Sequence, residues 1–248
     1  MRLNKYLSEA GVCSRREADR AVEAGEVTVN GAPAVQGMQV EEGDAIKFRG
    51  KLVTVKSRDP EDFTLIVVNK PVGVICTTDR SEKANIVDYV GYPTRIYPVG
   101  RLDKDSEGLI LMTDRGDIVN RILRGANEHE KEYAVRVDRE VTKEFIDKLC
   151  KGVWIEELHR KTKPCRAVKT GRHTFSIVLT QGLNRQVRRM CQALGYRVVS
   201  LRRTRIMNIE TRDLQIGQYR HIAGAELDEF MRALEHSTQK PYREMTGK

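Results

Sequence analysis

Gly100-Arg101-Leu102-Asp103-Lys104-Asp105-Ser106-Glu107-Gly108-Leu109 sets three acids and two bases between two glycines, with apolar runs on either side at residues 96–99 and 109–113. Short apolar runs joined by a few polar residues read as strands and their connection. Leu102 interrupts the charges, so one side of the segment faces a core. Two readings stand on the residues alone. The segment is either an ordinary charged loop, or a loop that presents a catalytic carboxylate at strand ends, where such side chains are commonly held.

Outward from this loop, strands and helices mix. Residues 63–69 form an apolar, β-branched run that ends at Lys70-Pro71, and residues 132–137 and 174–180 alternate as strands. Ile118, Ile122 and Leu123 give an inward face to a helix over 117–124, and Phe145, Ile146 and Leu149 mark another short helix. Val187, Met190, Cys191 and Leu194 recur at i, i+3, i+4 and i+7 before Gly195, and Leu227, Phe230, Met231 and Leu234 repeat the pattern. No regular βαβ repetition connects these elements. The expected class is therefore α+β, with a large, mainly antiparallel mixed sheet flanked by helices.

The first 48 residues read as a small separate module. Leu3, Tyr6, Leu7 and Ala10 share a helix face, and Ser14-Arg15-Arg16-Glu17 is a capping box that starts a second helix over Ala18, Ala21 and Val22. Residues 26–30 alternate as a strand into the turn pair Asn30-Gly31, and 40–48 offers a further strand. Residues 56–62 (KSRDPED) are polar and read as a linker, so the expected domains are 1–57 and 58–237, with a loose tail at 238–248.

Charge and composition narrow the function. The 248 residues carry a net charge of +9, yet residues 158–209 contain no acid and 13 Lys and Arg, which leaves −4 for the rest. An acid-free basic block on a mildly acidic chain is the footprint of a polyanion-binding face. No apolar run nears the ~20 residues of a membrane span. The first eleven residues carry charges instead of a signal-peptide core, and the five scattered cysteines form no CxxC pair, so a cytoplasmic chain with reduced thiols is expected. Rossmann and P-loop signatures are missing, and the histidines lack metal-ligand spacing, so neither a cofactor nor a metal is expected.

RLNKYLSEAGVCSRREADRAVEAGEVTVNG resembles the S4 RNA-binding domain. Arg2 and Lys5 share one helix face, as do Arg16 and Arg20, and Arg15 clusters with them, a spacing that suits phosphate contacts; a solvated helix face is the alternative. GRLDKDSEGL, in turn, is similar to the signature of the RsuA/RluB/RluE/RluF family of pseudouridine synthases. LIVVNKPV at 65–72, EKEY at 130–133 and QGLNRQVRRM at 181–190 match three further motifs of that family, and the last is nearest its RluF-type members. The resemblance runs to about residue 237, without the long basic C-terminal extension of some relatives.

The family resemblance implies a cofactor-free isomerisation of uridine to pseudouridine within RNA, ribosomal RNA first and transfer RNA second. It makes Asp103 the essential aspartate, Arg188 the arginine that pairs with it, and Tyr133 the tyrosine against the target base. Without the resemblance, Tyr133 reads equally as a core aromatic, and spacing cannot choose among Arg185, Arg188 and Arg189. Arg101, Arg185 and Arg189 then become RNA-backbone contacts, Lys70 and Pro71 a buttress beneath the site, and the acid-free block the lining of an RNA cleft. A monomer is expected. Two rivals remain from the residues: a non-catalytic RNA-binding protein, and a two-carboxylate glycoside hydrolase, for which a single Trp and 6% aromatics supply few sugar platforms.

Overall fold

Apolar spacing and one capping box build the N-terminal helices. α1 (Leu3–Glu9) buries Leu3 and Leu7, and α2 (Arg15–Glu23) buries Ala18, Ala21 and Val22. Ser14 Oγ accepts the Glu17 amide at 3.1 Å, and the Glu17 carboxylate accepts the Ser14 amide at 3.4 Å, so two unpaired helix-end donors are satisfied. β1 (Val27–Val29) turns into β2 (Ala32–Pro33) through Asn30 and Gly31, both at positive φ, the geometry preferred in two-residue hairpins. With β3 (Ile46–Phe48) and β4 (Lys51–Leu52) they form a sheet ordered β2-β1-β3-β4. The strand expected over 40–48 begins only at Ile46, because Gly43, at φ +98°, turns the chain just before it.

The computed structural model describes residues 1–54, 63–123 and 128–235. It separates two compact units, Met1–Phe63 and Thr64–Lys248. The expected linker boundary at 57/58 and the tail at 238–248 lie outside the described residues.

The second unit is α+β around a mixed sheet. β5 (Leu65–Lys70) is buried along its whole length, which explains its unbroken apolar run. α3 (Ile86–Val90) and the short β6 (Tyr97–Pro98) precede β7 (Glu107–Thr113), which is followed by α4 (Gly116–Leu123) and β8 (Lys131–Val137). Next come α5 (Lys143–Cys150), the small ribbon β9 (Trp154–Ile155) and β10 (Arg160–Lys161), then β11 (Arg166–Gly171) and β12 (Thr174–Leu179). α6 (Gln186–Ala193), β13 (Val198–Ile206), β14 (Ile209–Glu210), β15 (Tyr219–His221) and α7 (Gly224–Glu235) complete it.

The sheet runs β11-β12-β8-β13-β7-β5-β15, with β14 beside β13 and β6 beside β7. Every neighbouring pair is antiparallel except β13 and β7, which are parallel. That parallel ladder has only two pairs, Arg202 opposite Glu107 and Arg203 opposite Gly108, whereas β5 and β7 pair along six positions. The sheet is thus two antiparallel blocks joined at one short seam. α5 and α6 cover the β8–β12–β13 block over Phe145, Leu149, Phe175, Ile177, Val187 and Met190. A second core, with Ile66, Val68, Ile86, Leu102 and Ile110, belongs to the β5–β7 block. Tyr133 packs against both.

Two expectations change. Leu123 is 45% exposed: it is the last residue of α4, and its side chain lies over Gly100. The nine-residue strand β13 does not announce itself in the sequence, because three arginines break its apolar pattern.

Gly108 is the residue on which the seam turns. It sits at φ +103°, and a Cβ there would overlap the backbone oxygen of Arg203 and come within 2.8 Å of its nitrogen. Gly108→Ala should therefore destabilise the second unit by on the order of 3 kcal/mol. The measurement is the urea midpoint at constant slope, and an unchanged midpoint would contradict the close approach.

Candidate active site

Asp103 lies in the loop between Gly100 and β7, and that loop is held from below. The Leu102 amide donates to Cys76 Sγ at 3.4 Å, the Gly73 amide to the Lys104 carbonyl at 2.7 Å, and the Ser106 amide to the Asp103 carbonyl at 3.1 Å. Beneath it Lys70 is fully buried, its amine donating to the carbonyls of Pro71 and Val74, both at 2.8 Å. Burial pushes the Lys70 amine below its ordinary range, while Cys76 and the carboxylates of Asp105, Asp103 and Glu107 oppose that shift. Lys70 thus closes the turn from Pro71 to Val74, and on β5 it lies opposite Gly108.

Two arginines reach this loop from α6. The helix starts at Gln186, and Arg185 precedes it in a left-handed conformation, φ +49°. Arg185, which spacing alone does not distinguish from Arg188 and Arg189, is therefore off the helix. Its guanidinium grips Asp105 with two bonds, at 3.2 and 3.0 Å, and comes within 3.5 Å of Asp103 Oδ2. That grip holds the Asp105 carboxyl below the usual carboxylate range. Arg188, with a side chain only 14% exposed, donates to the Asp105 carbonyl at 2.8 Å and to Ser106 Oγ at 3.2 Å. Its Nε is buried with no hydrogen-bond partner and stands 3.9 Å from Asp103 Oδ2. Arg189 turns the other way, to Glu157 at 3.5 Å and to Asn184 Oδ1 at 3.2 Å.

The result is a half-open cleft with a volume of about 90 Å³. Asp103, Tyr133, Arg101, Ser106 and Arg185 line it, together with residues 181–183 and apolar groups such as Leu179 and Leu201. Apolar groups beside a few convergent polar ones are the arrangement that binds and orients a small flat ring. Sequence reasoning assigned no role to Lys131 or Arg203. Lys131 lies two residues from Tyr133 on the same side of β8, and its amine donates to the His129 carbonyl at 3.0 Å. Burial, with the Arg203 charge adding to it, pushes that amine down to about 8.

The acid-free block proves less free than its sequence implies. Nine of its 13 cations pair with acids from elsewhere in the chain: Lys163, Arg166, Lys169, Arg172, Arg185, Arg188, Arg189, Arg197 and Arg205. Arg203 is buried, and Arg160, Lys161 and Arg202 have no carboxylate partner among the described residues. In the N-terminal unit Arg2, Arg15, Arg16 and Arg20 are exposed without such a partner among the described residues, while Lys5 pairs with Glu9 at 3.5 Å.

The model of the RNA pseudouridylate synthase family matches residues 64–193, and this stretch holds Asp103, Tyr133 and Arg188. The chain belongs to the RNA pseudouridylate synthase family. An S4 domain matches residues 1–46 of the synthase. Over 240 residues it is 49% identical to the dual-specificity RNA pseudouridine synthase RluF of Escherichia coli, covering 97% of this chain and 81% of that protein. It is 35% identical over 244 residues to the ribosomal large subunit pseudouridine synthase B of Bacillus subtilis, covering 95% and 97%. A crystal structure of a pseudouridylate synthase superposes with a TM-score of 0.67 at 28% identity, covering 92% of this chain and 99% of that one.

The geometry separates the three arginines of α6 and its approach. Arg188→Lys keeps a charge but loses the planar group that sets Nη2 on the Asp105 carbonyl and Ser106 while Nε faces Asp103. It should lower turnover by about a hundredfold with little change in RNA affinity, because a small displacement of reacting groups is that costly. Arg189→Gln should leave turnover at saturating RNA intact. Single-turnover rates and binding curves for both variants test the assignment, and the reverse pattern would refute it.

Proposed function

We propose that this RNA pseudouridine synthase modifies a specific uridine of ribosomal RNA and also accepts transfer RNA, with Asp103 as the reacting carboxylate, Tyr133 against the base and Arg188 as the partner of Asp103. The carrying observation is Asp103 itself: a partly exposed carboxylate at a cleft wall, with two guanidinium groups within 4 Å and a tyrosine on the same wall. A carboxylate so placed serves as a nucleophile or as a base removing a sugar proton.

The isomerisation balances without a co-reactant. The bond from N1 of uracil to the ribose C1′ breaks, the ring turns, and C5 bonds to C1′. The proton lost from C5 is balanced by one gained at N1. A paired uridine is out of reach, so the base is flipped from its stack into the cleft, at least cost in a loop or bulge. Asp105, gripped by Arg185, anchors the loop. Arg101, at the cleft, and the unpaired cations Arg2, Arg15, Arg16 and Arg20 of the S4 unit serve as backbone contacts, joined by Lys5, Arg185 and Arg189 where a phosphate displaces their carboxylates. The enzyme works as a cytoplasmic monomer.

Tritium at C5 of uridine is released to solvent as the new bond forms, so release from labelled ribosomal and transfer RNA reports the reaction. Wild type should release it from both. Asp103→Asn should release none while binding RNA nearly as well, because the phosphate contacts lie elsewhere. A tenth of wild-type release would remove Asp103 from the chemistry. Residues 64–248 alone should keep turnover at saturating RNA and lose affinity and choice of site, because a tethered second contact raises the local concentration of the active site.

A further inference from the structure

Arg203 is a large cation at the centre of the catalytic sheet, 4% exposed, with no carboxylate partner among the described residues. Its Nε donates to the Leu109 carbonyl at 2.7 Å, and its Nη2 is buried without a hydrogen-bond partner. Such a group is costly to bury, and sheet centres normally hold apolar side chains there. Its place in the register accounts for it. Arg203 lies opposite Tyr133 on β8 and opposite Gly108 on β7, and Gly108 in turn lies opposite Lys70 on β5. Directly opposed residues on neighbouring strands face the same side of a sheet. Tyr133 faces the cleft, so Arg203 faces the cleft side as well, one strand away.

The seam between the two blocks passes through this row. Asp103 enters the β7 block five residues before Gly108, and Tyr133 belongs to the β8 block. Only two parallel residue pairs join them along the sheet. The Arg203–Leu109 bond crosses that seam on the sheet floor, as Arg188 crosses it at the rim through the Asp105 carbonyl and Ser106.

We propose that Arg203 is a positioning residue of the isomerisation: its guanidinium ties the strand following Asp103 to the strand pair bearing Tyr133, and so sets the spacing between carboxylate and phenol. The proposal rests on Asp103 and Tyr133 being the reacting pair. Arg203 touches no substrate and moves no proton. Its effect is on geometry, and therefore on turnover and not on RNA affinity. Gly108 leaves the space into which the Arg203 backbone closes on β7, and that approach puts the Leu109 carbonyl within reach of the Arg203 side chain.

The test compares Arg203→Met and Arg203→Lys with wild type, with Leu149→Ala as a control. Leu149, on α5, is buried in the core but lines neither the cleft nor the seam, so that variant loses stability without removing a residue of either. Tritium release and RNA binding give kcat and KM. Arg203→Met should lose about a hundredfold in kcat, as expected for reacting groups displaced by about 1 Å, with KM within twofold of wild type. Arg203→Lys, which keeps a donor and the charge on a shorter reach, should recover part of that loss, and Leu149→Ala should keep wild-type kcat below its melting temperature. Wild-type kcat in Arg203→Met would overturn the proposal, and so would a rise in KM with kcat unchanged. If Arg203→Met does not fold, Arg203→Lys decides: a tenfold loss of kcat at unchanged KM supports the proposal, and wild-type kcat overturns it. Activity in Asp103→Asn would instead overturn the assignment of the reacting pair, so the two failures are distinct.

Discussion

One short parallel ladder joins two antiparallel blocks of sheet, and the catalytic architecture depends on how closely β7 and β13 approach there. Backbones meet this closely only where a side chain is missing. Gly108 supplies that gap, and it lies at the start of the strand that follows the loop carrying Asp103. Glycine at this position is therefore a condition for bringing a carboxylate from one block beside a tyrosine from the other. Loop, strand and cleft share one constraint.

Around the seam, cations do the joining. Lys70 spends its donors on the carbonyls of Pro71 and Val74, and Arg188 spends its own on the Asp105 carbonyl and Ser106. Backbone carbonyls are good partners for such a task, since they cannot be neutralised and do not move with side-chain rotamers. The carboxylates are then left at the cleft wall with guanidinium groups beside them. Asp105 takes the tighter, bidentate contact with Arg185, which leaves Asp103 with longer contacts at 3.5 and 3.9 Å and a surface open to the cleft. Of two neighbouring aspartates, one is bound into the loop and the other is presented.

Much of this was legible in the residues. The capping box at Ser14, the Asn30-Gly31 turn, the buried run ending at Lys70 and the stripe of Val187, Met190 and Cys191 each follow from a local rule, and the structure bears each of them out. The α+β class followed from their order. β13 did not, because its arginines look like surface charge until their register with Tyr133 and Gly108 is known. For the same reason spacing could not rank Arg185 against Arg188. Their roles depend on a left-handed residue before α6, which turns Arg185 toward Asp105. Nor could a count of charges along the chain reveal that the basic block meets its acids in space, from strands and loops distant in sequence.

Those internal ion pairs change what RNA binding releases to solution. A phosphate that settles on a free arginine sheds a condensed cation from the RNA into the bulk, and this gain in mixing entropy drives much of polyanion association. A phosphate that displaces Glu140 from Arg172 or Glu130 from Arg166 also sheds a cation, but the liberated carboxylate recruits one back. The exchange is nearly neutral in ions. Basic content therefore overstates how steeply affinity falls with ionic strength, and the slope is governed by the few cations that no carboxylate holds. A paired basic surface of this kind also discourages unselective adsorption to any polyanion, leaving selection to the shape of the RNA and the reach of the cleft.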